Sequence, residues 1–217
     1  MREEFRAGLY EVGRLLVSMA EAVRTAMSAA TATLLGTAKA GGAEQFAERG
    51  MEIEEIFHSI DEKVLHLLAQ QSPVASDLRM VITALHIGDD LQRMGGLAEH
   101  VTKVALRLHP GHTILADLAG IIGQMADVAD HLAGKITLVL TSRSAERAAE
   151  WERDDDAMDE LEKKLYSRIL DPSWSHGVQA AVDAALLARY YERYADHAVN
   201  AGRHVILLVT GQAGSSS

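Results

Sequence analysis

Punctuation constrains this chain more than any other feature. Only three prolines occur in 217 residues, at Pro73, Pro110 and Pro172. Proline is tolerated in the first turn of a helix or beyond its end, and it breaks a helix interior. Ser72 and Asp171 are both N-cap residue types, so Pro73 and Pro172 are expected to open helices. Gly41-Gly42 and the run Thr141-Ser142-Arg143-Ser144 mark two more breaks, with Ser144 as a further N-cap. Five breaks leave six segments of roughly 25–37 residues each, well above the common helix length. As helices these are rods on the order of 40–50 Å long.

The segments carry a helical period. Apolar residues recur at threes and fours in Leu9, Val12, Leu15, Leu16 and Met19, and in Leu78, Val81, Ile82 and Leu85. Met158, Leu161, Leu165 and Ile169 repeat the pattern, and no strand-like alternation of any length interrupts it. Abundant Ala lets long helices approach closely, so the expected class is all-α, a bundle. The absence of cysteine excludes disulfides, thiolate zinc sites and a thiol nucleophile. A net charge of −10 argues against a general nucleic-acid binder. The charged N-terminus is no signal peptide, and no run approaches the ~18 apolar residues of a membrane span, so a soluble cytoplasmic protein is expected. The Gly/Ala/Ser-rich stretch 211–217 reads as a frayed tail.

The third and sixth segments overlay. Leu91-Gln92-Arg93-Met94-Gly95-Gly96-Leu97-Ala98 matches Tyr191-Glu192-Arg193-Tyr194-Ala195-Asp196-His197-Ala198 at an offset of 100 residues. Pro73 and Pro172 agree with that offset to within one residue. The chain therefore reads as a duplicated three-helix unit, residues 1–109 and 110–210.

Two acidic residues stand apart from the solvated charges. At ~100° per residue, Glu192 and Asp196 fall in line with Val178, Val182, Ala185 and Val199, a stripe expected to face the bundle interior. A buried carboxylate needs an Arg, a proton or a cation. Asp155 borders the Trp151/Met158/Leu165 stripe of the fifth segment, and Asp159 follows one turn later. Two acid pairs on neighbouring antiparallel helices suit a hard or borderline cation such as Mg²⁺, Mn²⁺ or iron. A salt-bridge network using Arg153, Arg189 or Arg193 explains the same residues. In the first half Gly50, Gln92 and Gly96 replace three of the four acids, leaving Glu54, Asp89 and Asp90 as weaker second-site candidates.

These residues resemble the PhoU family of phosphate-signalling regulators. The likeness rests on the duplicated halves, on Pro73-Val74-Ala75-Ser76-Asp77-Leu78-Arg79, on Asp155-Asp156-Ala157-Met158-Asp159 and on Glu192-Arg193-Tyr194-Ala195-Asp196-His197-Ala198-Val199-Asn200. It implies two antiparallel three-helix bundles side by side and a non-enzymatic role. That role is repression of phosphate uptake and of the starvation response, through the ATP-binding subunit of the phosphate transporter and the sensor histidine kinase. It also implies a homodimer and a multinuclear metal cluster of iron, Mn, Mg or Zn, with Asp155, Asp159, Glu192 and Asp196 as ligands.

Two other readings compete. A ferritin-type di-metal protein needs two Glu-x-x-His motifs, and only Glu55-Ile56-Phe57-His58 fits. A metal-free scaffold would anchor partners through residues such as Trp174, Tyr190, Tyr191 and Tyr194, which equally suit bundle packing. Arg79, Arg93 and Arg193 are candidates for gripping partner carboxylates or, equally, for neutralising Asp90 or Glu192 within the bundle, and His197 is expected on the surface.

Overall fold

The computed structural model describes residues 2–37, 42–71, 75–108, 113–142 and 150–210. Six helices fill them: α1 Arg2–Leu34, α2 Gly42–Gln71, α3 Ala75–Arg107, α4 Thr113–Ser142, α5 Glu150–Ile169 and α6 Gly177–Thr210. No strand occurs among the described residues. The expected breaks all separate helices, although Pro73, Pro110 and Ser144 lie outside the described residues. At 20 residues α5 is shorter than the expected range.

Pro172 does not open a helix. Asp171 Oδ1 accepts from the Ser173 amide at 2.8 Å, and the Trp174 amide donates to the Asp171 carbonyl at 2.9 Å. Proline's fixed φ suits the second position of such a β-turn as well as it suits a helix start, and the Asp171 side-chain bond serves either. The chain enters α6 only at Gly177, whose φ of +82° favours glycine. The end of α1 carries a signal that the Gly41-Gly42 break obscures. Gly36 has a φ of +70°, and Thr37 and Gly36 donate to the carbonyls of Ala32 and Thr33, closing a Schellman cap.

Each three-helix set buries its apolar lines against the other. α1 packs on α2, α3 and α4, α6 packs on α3, α4 and α5, and the outer helices α2 and α5 do not meet. Leu16, Met19, Ile87, Leu91, Met94, Ile122, Tyr191 and Tyr194 are fully buried in the shared core. The Tyr191 hydroxyl lies 2.6 Å from Thr31 Oγ1, so that Tyr of α6 is tied to α1. Both tyrosines are thus packing residues, as the bundle alternative for them requires.

Pairs across the central seam reveal the symmetry. Asp90 meets Asn200, His86 stacks on His204, His100 stacks on Tyr190, and Arg107 pairs with Asp183. In every pair one residue lies as far before Gly95 or Ala195 as the other lies beyond the matching residue. α3 and α6 are therefore antiparallel, and they cross where Gly95 lies level with Ala195, its own equivalent in the repeat. The offset of 100 read from the sequence becomes a pseudo-twofold axis.

Candidate functional site

α5 and α6 present the expected acids on one side of the second repeat. Trp151, Met158 and Leu165 point inward from α5 and are buried, which turns Asp155 to the boundary with α6. An added Cβ at Gly202 would come within 2.7 Å of the Trp151 ring, so this glycine is what lets the indole seat against α6. With that contact the helices are close enough for their carboxylates to sense each other. Burial pushes the Asp155 carboxyl above its ordinary value, and Asp196 and Asp159 push it further. Glu192 rises to about 7, again through burial first and then through Asp196, against the opposing pull of Arg189. Like charges gathered at low solvation favour a proton or a cation.

The geometry corrects the stripe on α6. Val178 is 81% and Val182 47% exposed, so these residues mark the solvent line. The buried line runs instead through Leu187, Tyr191, Tyr194, Ala198 and Val205. Asp196 consequently points outward, and Glu192 lies at the boundary with its side chain 12% exposed. Two exposed valines near the helix start had set the wrong phase. Arg189 Nη1 donates to Glu192 Oε2, so the salt-bridge reading accounts for that residue. Asp154 is bound to the buried Lys135 of α4 instead of joining the cluster.

An all-oxygen set with carboxyls raised by mutual repulsion fits a hard cation in chemistry. Among the described residues, no three acidic or His side chains are arranged to hold a metal ion. The acid face is thus compatible with a cation but is not a preformed cage.

The first repeat differs. Gly50 and Gly96 have open space where a side chain would be, and Gln92 Nε2 donates to both oxygens of Glu54, at 3.1 and 2.9 Å. A crevice of about 580 Å³ lies there, floored by Ile53 and Leu106 and edged by Glu54, Glu55, His58 and Glu99. Gln92, Gly50 and Gly96 cannot supply anionic ligands, so the four-acid set implied for the second repeat is not reproduced on this face.

Asp90 is not part of that crevice; it faces α6. It is 7% exposed and accepts hydrogen bonds from His197 Nδ1 at 3.1 Å and Asn200 Nδ2 at 2.8 Å. His204 Nδ1 stands 3.4 Å away. Burial alone would raise this carboxyl, but His197, His204 and Asn200 outweigh it and hold Asp90 at about 2. His197 is therefore a seam residue, not a surface one. Its signal was available: on α6 it lies between the buried Tyr194 and Ala201, one turn from each.

A profile of the PhoU domain matches residues 16–105 and again 122–205, one match in each three-helix set. The chain belongs to the PhoU family. It is 40% identical over 211 residues to "Phosphate-specific transport system accessory protein PhoU homolog 2" of Mycobacterium tuberculosis, spanning 97% of this chain and 99% of that one. A PhoU homolog 1 from Mycobacterium leprae is 41% identical, over 97% of this chain and 95% of the relative. The crystal structure of PhoU from Pseudomonas aeruginosa superposes with a TM-score of 0.82 at 25% identity, covering 96% of this chain and all of that one. The PhoU fold therefore confirms two tandem three-helix bundles. No helix among the described residues is long and apolar enough to cross a membrane.

Proposed function

We propose that this chain is a cytoplasmic regulator that restrains phosphate uptake and the phosphate-starvation response, acting by docking and not by catalysis. The observation that carries the reading is its near-full-length identity to relatives described as accessory proteins of phosphate-specific transport. A rigid double bundle suits such a role, because long helices with polar outer faces offer extended surfaces. The partners are the ATP-binding subunit of the phosphate transporter and the sensor kinase, and the working form is a homodimer. Regulation by binding requires different affinities for two conformations of the partner.

Asp155, Asp159, Glu192 and Asp196 would hold a divalent or multinuclear metal such as iron, Mn, Mg or Zn. Such an ion would supply charge neutralisation between α5 and α6. Arg189 would then have to release Glu192. Until it does, this ion pair screens the acid face.

Deletion of the gene tests the regulatory reading. Transporter and phosphatase transcripts should stay high in phosphate-rich medium, and complementation should restore repression. Unchanged phosphate-responsive transcription would refute it.

A further inference from the structure

Two guanidinium groups on the outer side of the α3–α6 seam have no partner among the described residues. Arg24, Arg107, Arg168 and Arg189 are each held by a carboxylate. Arg93 and Arg193 are exposed and make no hydrogen bond or ion pair with any described residue. They are repeat equivalents, each two residues before the crossing point at Gly95 and Ala195.

The antiparallel register places them on one face. Asp89, Arg93 and Gly96 share the solvent line of α3, and Arg189, Arg193 and Asp196 share that of α6, while α1 and α4 cover the opposite side. Arg93 lies level with His197, four residues from Arg193, which is ~6 Å of helical rise. Adding an interaxial distance of about 8–10 Å puts the two Cα atoms on the order of 10–12 Å apart. Residues seven apart on a helix are separated by ~10.5 Å.

Farther out the face becomes apolar at both ends, with exposed Leu78 and Ile82 at one and Val178 and Val182 at the other. Unpaired planar cations flanked by apolar ends select an amphipathic partner that offers carboxylates at the matching spacing, and this local complementarity has to outweigh the repulsion from a chain of net charge −10.

We propose that this seam receives an acidic helix of a partner protein, with two carboxylates about seven residues apart gripped by Arg93 and Arg193. The inference rests on the docking role proposed above and assigns its surface. Guanidinium forks suit the task because each can bind a carboxylate through two parallel hydrogen bonds.

The test has two arms. In the first, a fluorescent Ala-rich helical peptide of roughly 18 residues carries Glu at positions i and i+7, and a control peptide carries Gln. The expected result is that the Glu peptide binds the full chain about tenfold more tightly than it binds R93E/R193E, with R93K/R193K between and R79E unchanged. Equal binding of the Glu and Gln peptides overturns the proposal. So does unimpaired binding by R93E/R193E, or an equal loss in R79E. Thermal melts that match wild type establish that the variants are folded.

The second arm uses the purified ATP-binding subunit of the phosphate transporter from the same organism. Binding by wild type that is weakened in R93E/R193E supports the assignment. Binding that survives in R93E/R193E overturns the seam as the docking face and leaves the regulatory reading standing. If wild type binds neither that subunit nor the sensor kinase, the docking role itself fails, and the peptide arm alone decides whether the seam accepts an acidic helix.

Discussion

The α2–α3 face and the α5–α6 face are the same place in two copies of one module, and they differ in what fills them. In the second copy Trp151 seats on Gly202 and the facing carboxylates repel each other. In the first copy glycines leave a crevice, and Gln92 holds both oxygens of Glu54, the acid that stands in the place of Asp159. Duplication fixed the backbone, and divergent side chains then separated a surface of mutually repelling carboxylates from an open recess. A fold-level resemblance therefore transfers to both halves, whereas only the second copy keeps all four acids that the resemblance implies as ligands.

The largest test of this contrast is Trp151→Ala. The ring is 2% exposed, and its removal should cost about 3–5 kcal/mol in urea unfolding. A loss below about 1 kcal/mol would mean that the second copy is not sealed by this contact. Asp90→Ala comes next, because it removes a carboxylate from the seam and leaves His197 and Asn200 without their acceptor. A loss of about 1–3 kcal/mol is expected. In wild type, Asp90 lies below its ordinary value, at about 2, so its contribution is complete above pH 3.8 and disappears as pH falls through about 2. An acid melt that is identical in wild type and Asp90→Asn would remove the carboxylate from that role.

Glu192 gives the opposite sign. Its proton is held more tightly in the folded chain, at about 7 against 4.5, so the group's contribution to stability declines as pH rises from the ordinary glutamate range to about 7. Glu192→Gln should flatten the dependence of Tm on pH in that window. Added Mn²⁺ at pH 7.5 should raise the Tm of wild type but not that of D155A/E192A, as read by calorimetry. No Tm response in wild type would remove the cation from the α5–α6 face. The smallest effect is expected from Gly96→Asp. The site is open and helical, so the change should be worth only a few tenths of a kcal/mol. Measurable destabilisation would show that the first-copy recess is tighter than its geometry indicates.

Much of the architecture was legible from local chemistry. Long uninterrupted helical periods, paired with scarce proline, leave little but a bundle, and the Arg93/Arg193 overlay exposes the repeat. Pro172 misled because the same fixed φ and the same Asp171–Ser173 bond serve both a helix start and a β-turn, and the two part only beyond Ser173, where the chain is not helical until Gly177. The phase of α6 misled for a different reason. Val178 and Val182 are apolar residues on a solvent line, and their hydrophobicity is indistinguishable in sequence from that of core residues. The acid pairing of Asp155 with Asp196 was nonetheless readable, since helical spacing and antiparallel order place both on facing edges. The Asp90–His197 contact was not, because its partners are 107 residues apart and their meeting depends on the register of two helices.

The crossing of α3 and α6 at Gly95 and Ala195 has an orientational consequence. Anything approaching along that axis meets nearly the same backbone outline either way up, so the scaffold alone cannot tell head from tail. Polarity must come from the side chains, which differ at most positions of the two helices; beside the axis Gly96 stands against Asp196, so a visitor inserted backwards would meet a carboxylate where the forward orientation meets empty space.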